Sequence, residues 1–377
     1  MRILFSSMPS AGHFGPMAPY VRAGLRAGHS AMVAAGMPLA AAAEATGAVF
    51  WPVDEPESGQ MASAVDVLRG LPHADANTWM ISEVFARLRS GAALPRLREA
   101  IRSFRPDLVV RETAEFGSAV AADLHDLPHC RIAIGVNATE ELILRSAAGR
   151  VDELRRESGL PADPQARRLR ETPWWTLFPA SMDDPLMPTA AVTVRYRDPG
   201  WARFAAEARP WARPLVYLTF GTEAGKMPAY AAVYRQAMRA VENLDADVLI
   251  TVGRDADPGM LGTPPPHVRV ERWVDQATIL GRAAAVVCHG GGGSVLGALA
   301  AGVPLVVVPL FAEDQHINAR RVAAVGAGLV AAPEAEPISS ALQSVLTEPG
   351  FGVAASGVAA ELQQHTSVDE FVVSHSR

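Results

Sequence analysis

The stretch that decides the fold is AAVVCHGGGGSVLGALAAGVPLVVV, Ala284 to Val308. Its apolar run to Cys288 predicts a strand, His289 to Gly293 a loop, Ser294 to Ala301 a helix, and Leu305 to Val308 a second strand. Gly302 and Pro304 punctuate the return. Strand, glycine-rich loop, helix and strand make a βαβ unit with parallel strands. Such a unit belongs to a sheet with helices on both faces.

Working outward, the same pattern recurs. Leu215 to Phe220 reads as a strand feeding a Gly221-Thr222 loop, followed by a helix near Ala231 to Asn243 and a strand from Val248 to Val252. The chain begins alike: strand Arg2 to Ser6, a Gly/Ser/Pro loop, then a helix from Pro16 to Ala27 with Met17, Val21 and Leu25 at helical spacing. Gly28 is placed to stop that helix, and Ala31 to Ala35 is the next strand. Asp107 to Val110 and Cys130 to Ile134 are short apolar runs, with helix-compatible Phe116 to Leu124 between them. The expectation is an α/β protein of two Rossmann-like, doubly wound domains facing a central cleft. The first domain is expected over 1–197 and the second over 214–377, with the last helix packing back on the first. A linker over 198–213 ends the proline-rich Pro179 to Pro214 stretch. Residues 55–95 and 140–180 show weak periodicity and carry bulky Met61, Trp79, Met80, Phe85, Trp174, Trp175 and Phe178.

Composition narrows the function. With 377 residues, 49% hydrophobic and 20% charged, the chain reads as globular and long enough to bury two cores. A net charge of −6 argues against a general nucleic-acid binder. Lys226 is the only lysine, so nearly all the basic residues are Arg. Cys130 and Cys288 lie far apart in apolar surroundings and form no metal spacing or disulfide framework, which suits a reducing cytoplasm. The N-terminus lacks a signal-peptide core, and no stretch reads as a membrane span.

The chemistry concentrates in His289-Gly290-Gly291-Gly292-Gly293-Ser294. Glycines let a ligand approach the backbone, and a helix start offers free N–H groups to an anion. A phosphate or pyrophosphate is the natural guest, and His289 can add a hydrogen bond or a charge. A dinucleotide fingerprint fails, because its last glycine would fall on Val295 or Leu296. A P-loop fails because Lys226 is followed by Met227. An esterase reading lacks its elbow, since no serine has glycine two residues before and two after.

Several separated elements fall in order around this loop: Arg272-Trp273-Val274-Asp275-Gln276, the glycine loop, Ala300-Ala301-Gly302-Val303-Pro304, and Pro309-Leu310-Phe311-Ala312-Glu313-Asp314-Gln315 with Asn318-Ala319. Together they resemble the nucleotide-sugar signature of the inverting GT-B glycosyltransferases, which include bacterial antibiotic enzymes and plant secondary-metabolite enzymes. Gly12-His13-Phe14-Gly15-Pro16-Met17 resembles that family's acceptor-side loop. The resemblance extends over both halves and is weakest in residues 50–100 and 140–210.

The resemblance implies a division of labour. Trp273 and Val274 would border the nucleotide base, with Gln276 also on the donor side, while His289, Gly291, Gly292, Gly293 and Ser294 would hold the pyrophosphate, with Thr222 adding a hydroxyl. Asp314 and Gln315 match the pair that hydrogen-bonds the sugar. His13 matches the general base that takes the proton of the attacking alcohol, giving a single inversion. The family's supporting Asp is replaced, after Pro106-Asp107-Leu108-Val109-Val110, by Glu112, with Glu115 as the other carboxylate in reach. Phe14, Met61, Trp79, Phe85, Phe116 and Trp174 are the expected acceptor contacts, for a small and mostly apolar natural product. Asp245-Ala246-Asp247 and Asp255-Ala256-Asp257 read as turns flanking a strand, so no metal is expected. No cofactor is expected beyond the nucleotide-sugar co-substrate, with a dTDP-deoxysugar favoured over UDP-glucose. Expected partners are that donor and a small-molecule acceptor, with no nucleic acid and no membrane anchor, in a monomer or homodimer. A GT-B enzyme acting on a lipid-linked or cell-wall acceptor, and a non-catalytic helper on the same fold, are the alternatives.

Overall fold

Ile3, Leu4 and Phe5 are at most 1% exposed, because the strand that holds them, β1 (Arg2–Ser6), is covered on both faces. The computed structural model describes residues 1–68, 70–188, 192–206 and 213–370. Around β1 the first sheet gathers β2 (Ser30–Ala35), β3 (Val49–Pro52), β4 (Leu108–Glu112), β5 (His129–Ile132), β6 (Trp174–Thr176) and β7 (Thr193–Arg197). The last strand of the chain, β14 (Thr366–Ser367), joins it too. The order is β14-β7-β6-β5-β4-β1-β2-β3, and every pair is parallel. The chain moves outward from β1 to β3 and restarts at β4 on the other side of β1. The C-terminal ends of β1 and β4 thus form the switch point at which an open α/β sheet takes its ligands.

The second sheet holds β8 (Leu215–Thr219), β9 (Asp247–Thr251), β10 (Val268–Glu271), β11 (Ala283–Cys288), β12 (Leu305–Val307) and β13 (Gly328–Val330). Its order is β10-β9-β8-β11-β12-β13, again all parallel, so its switch point lies between β8 and β11. Its core is aliphatic, built on Val216, Leu218, Ile250, Val287 and Val306, each fully buried. Both sheets therefore have the doubly wound α/β form read from the sequence.

The helices after β1 and β11 stop in the same way. In helix Ala18–Arg26, Gly28 at φ +83° gives its N–H to Leu25 and lets His29 reach Gly24, at 3.0 Å each. In helix Gly292–Ala300, Gly302 at φ +70° bonds Leu299 at 3.0 Å and Val303 bonds Ala298 at 2.9 Å. Both are left-handed glycine caps that satisfy the last carbonyls, and a side chain at either glycine would be strained.

The chain divides into two units that are not contiguous in sequence. The first comprises 1–177, 184–198 and the segment from Thr366, and the second comprises 178–183 and 199–365. Segment 178–183 is held in the second unit by Arg321, whose Nε donates to the Met182 carbonyl at 3.0 Å and Nη2 to that of Ser181 at 3.1 Å. Several expectations are corrected here. Within the proline-rich stretch, residues 193–197 form β7, which pairs with β6 and buries Tyr196 while its neighbours are half-buried. Of the expected linker, residues 199–206 pack on the second unit: the Phe204 carbonyl lies 1.8 Å from where a Cβ on Gly281 would stand, so only glycine fits there. Linker residues 207–212 and the chain end 371–377 lie outside the described residues. The last helix, Pro349–Gln364, stays with the second unit, and the return to the first is made by β14. The weakly periodic regions are helical: Ser58–Leu68, His73–Trp79, a π-helix over Met80–Arg89, Ser90–Phe104 and Asn137–Glu157. Among the described residues no helix is long and apolar enough to cross a membrane.

Candidate active site

In the first unit, β1 leads into a single helical turn, Ala11–Phe14, which carries His13 over the switch point. The end of β4 delivers Glu112, which is completely buried. His13 Nδ1 stands 3.1 Å from Glu112 Oε1. The same oxygen accepts the Met8 N–H at 3.2 Å, and Oε2 accepts the Ala114 N–H at 2.7 Å. Two backbone donors thus hold this carboxylate in one orientation, with the His13 imidazole beside it. Glu115, the other carboxylate in sequence reach, is engaged elsewhere: it accepts from the Ser118 N–H at 3.1 Å and from the Ser118 hydroxyl. Burial pushes its carboxyl up from the ordinary range. The structure brings Glu112, not Glu115, to His13.

The Phe85 ring meets His13 edge to face, with centroids 5.6 Å apart. Met61 and Phe85 pack on one small apolar cluster with Val84 and Leu88, and the Trp79 indole donates to the Ala64 carbonyl at 3.1 Å. Three expected acceptor residues are therefore gathered on the two helices and the π-helix before β4. Two others are corrected. Phe116 is 0% exposed in the hydrophobic core, and Trp174, in β6 between neighbouring strands, is 1% exposed with the Arg131 guanidinium 5.4 Å from its ring centre. Both fill the interior instead of facing a ligand. Phe14 is likewise buried, at 4% exposure.

In the second unit, β11 ends at Cys288 and His289 follows. The imidazole is clasped by glycine backbone. A Cβ on Gly221 would lie 2.7 Å from its Cε1, and one on Gly291 2.5 Å from its Nε2. Gly221 also has φ +78°, a conformation that side chains rarely adopt. Burial pushes the His289 pKa down to about 4, so near neutral pH the ring is a hydrogen-bonding group, the first of the two roles the sequence allowed it. Helix Gly292–Ala300 starts from Gly291, which offers no side-chain cap, so its first N–H groups are left to an anion. Ser294 is the third residue of that helix.

Thr222 and Trp273 are exposed, and Arg254 places its guanidinium 3.6 Å from the Trp273 ring centre. Val274 and Gln276 are half-buried beside it. Asp314 lies in the first turn of helix Glu313–Ala324. Gln315 is buried, and its amide oxygen accepts the N–H groups of Leu310 at 2.8 Å and Phe311 at 3.1 Å. That oxygen shapes the loop before the helix. Asn318 does similar work, its amide donating to the Gly290 carbonyl at 2.8 Å. In the aspartate triplets, Arg213 pairs with Asp245 at 3.3 Å and Asp247 at 3.1 Å, and Asp257 accepts the Gly259 N–H at 3.1 Å. Sequence reasoning missed Arg254, although it stands directly after Gly253 at the end of β9.

Two family models match the chain: "Erythromycin biosynthesis protein CIII-like, N-terminal domain" over residues 23–200, and the corresponding C-terminal domain over 235–375. The L-demethylnoviosyl transferase of Streptomyces niveus is 32% identical, covering 87% of this chain and 84% of that protein. The TDP-daunosamine transferase DnrS of Streptomyces peucetius is 28% identical, covering 96% and 93%. Among solved structures, the glycosyltransferase SnogD from Streptomyces nogalater superposes with a TM-score of 0.75 at 25% identity, over 99% of this chain and 98% of that one.

Proposed function

The chain belongs to the erythromycin biosynthesis protein CIII-like family of glycosyltransferases, and on that premise we propose that it moves a deoxysugar from a dTDP-sugar to a hydroxyl of a small, largely apolar natural product, with inversion. The observation that carries this reading is the pairing of His13 with buried Glu112 at 3.1 Å. With Nδ1 held against the carboxylate, Nε2 is the ring nitrogen that takes the proton of the acceptor hydroxyl as it attacks the anomeric carbon. Glu112 then stabilises the imidazolium, as the carboxylate of a hydrolase triad does. Phe85 and the Met61 and Trp79 helices supply apolar walls for the acceptor.

The second unit answers the leaving group. The uncapped start of helix Gly292–Ala300, Ser294 and neutral His289 form a hydrogen-bonding cradle for pyrophosphate, whose charge grows as the glycosidic bond breaks. Trp273 offers an exposed ring to a nucleobase, in company with Arg254. The thymidine preference is supported by the name of the TDP-daunosamine relative, and a cradle made of N–H groups needs no divalent ion.

The test is direct. The protein is incubated with dTDP- and UDP-sugars and a panel of aromatic and polyketide aglycones, and mass spectrometry follows the glycoside while dTDP or UDP release is quantified. A glycoside with inverted anomeric configuration and one equivalent of dTDP is the expected product. Release of UDP but not dTDP would overturn the base assignment, and no glycoside from any hydroxylated aglycone would overturn the acceptor class.

A further inference from the structure

Arg111 lies directly before Glu112 in β4 and is 0% exposed. Burying a guanidinium is costly unless its hydrogen bonds repay the lost hydration. Among the described residues its Nε and Nη2 find no partner, and the bonds it makes all go through one nitrogen to one turn. Its Nη1 donates to the carbonyl oxygens of Glu112 at 3.2 Å, Thr113 at 3.0 Å and Glu115 at 3.3 Å. These three carbonyls belong to the turn that links β4 to helix Gly117–Leu124. The same turn supplies Ala114, whose N–H holds Glu112 Oε2 at 2.7 Å. One nitrogen therefore pins both ends of the segment that aims the Glu112 carboxylate.

Charged groups surround the turn. Glu115 and Glu112 stand on the turn itself, and Glu140 comes from helix Asn137–Glu157 and Arg131 from β5. Glu140 ties the next residue in: it accepts the Thr113 hydroxyl, and its other oxygen accepts the Ile134 N–H at 3.1 Å. Arg131 reaches Glu140 at 3.4 Å. Of these groups Arg111 is the one that bonds the turn backbone at three points.

We propose that Arg111 is a positioning residue for the proton-accepting pair: it locks turn 112–115 so that Glu112 faces His13. This rests on the reading of His13 as the base. Nη1 stands at the end of a rigid planar group, one bond farther from the backbone than a lysine ammonium, so an ammonium on a flexible stem does not take its place among the three carbonyls. Arg111→Lys therefore keeps the charge and loosens the turn.

The experiment measures the His13 imidazole pKa by NMR titration in the full chain, with kcat against pH at saturating donor. Arg111→Lys should lower the His13 pKa by about half a unit to one unit, because a carboxylate that wanders from the ring stabilises its cation less. kcat should fall by about 10- to 100-fold with donor affinity unchanged, and Arg111→Met should lose at least as much kcat. In a Glu112→Gln background Arg111→Lys should shift the His13 pKa no further, since both act through one contact. A folded Arg111→Lys protein with wild-type His13 pKa and kcat, or a shift that simply adds to that of Glu112→Gln, overturns the proposal. If His13→Ala retains kcat, the base assignment fails instead, and the His13 titration still reports whether Arg111 aims Glu112.

Discussion

His13 and His289 occupy matching places in two sheets of the same kind, each just beyond a strand at the switch point, yet their surroundings give them different chemistry. His13 has a buried carboxylate 3.1 Å from Nδ1 and an aromatic edge on its ring. His289 has glycine backbone on two sides, and burial holds its pKa near 4. A carboxylate makes an imidazole a better proton acceptor, while enclosure without one makes it a neutral donor or acceptor that does not change state. Position in the fold places a histidine at a ligand, and the neighbours decide what it does there.

The largest effect should come from the first of the pair. His13→Ala should lower kcat by about 10²–10⁴ while leaving donor affinity nearly unchanged. Glu112→Gln should cost less, since it keeps an acceptor for Nδ1 but not the charge, and a more acidic phenol acceptor should blunt both losses. Steady-state kinetics on one acceptor at saturating donor checks this. Near-normal turnover by His13→Ala would erase the contrast between the two histidines.

Next should come the clasp around the second. Gly221→Ala places a methyl 2.7 Å from the His289 ring at a residue with φ +78°, so it combines backbone strain with overpacking. Those terms sum to about 2–5 kcal/mol of lost stability, read by denaturant unfolding. Gly293→Ala, with nothing within 4 Å of the added carbon, is the control and should cost far less. Equal losses in the two would mean that the ring is not held by this contact.

His289→Ala should weaken dTDP binding by about 1.5–3 kcal/mol, measured by calorimetry, with the proton-transfer step unaffected at saturating donor. The same variant carries a pH signature. The folded pKa is depressed, so the unfolded chain takes the proton first as pH falls. Wild type should therefore lose stability relative to His289→Ala between about pH 6.5 and 4, by up to about 3 kcal/mol, with no further change below. The comparison with the variant is needed because Glu140, pushed up to about 7 by burial, works in the opposite direction over part of that window. The smallest expected effect is that of chelation: exhaustive EDTA treatment should leave transfer unchanged, and activity restored only by magnesium or manganese would mean the phosphate cradle had been misjudged.

The second unit was the more legible in sequence. Its strands are continuous aliphatic runs such as Val286-Val287 and Leu305-Val306-Val307, which parallel sheets buried on both faces require. His13 and Glu112 could be named from a loop and a strand end, and their contact then followed from the pairing of β1 with β4. The helices over 58–104 were harder. A ten-residue π-helix has no 3.6-residue period, and Pro95 sits inside the helix that follows it. Trp174 and Phe116 were misplaced because a large aromatic looks the same in sequence whether it fills a core or lines a pocket. Arg111 carried no signal at all, since burial and the three carbonyls around it exist only after the turn has formed.

The return of β14 to the first sheet has a bearing on synthesis. Thr366 and Ser367 pair with Tyr196 and Arg197, and Arg26 anchors the arrival through Asp369 at 3.0 Å. Every other strand of that sheet among the described residues has been synthesised by Arg197. The β7 edge must then wait through more than 160 further residues with its outer hydrogen-bonding groups unpaired, about 10–30 s at ordinary elongation rates. During that interval it is open to any other extended chain. Arg195 and Arg197 on this edge are charges of the kind that keep such an edge from recruiting a neighbour while its own partner is still being made.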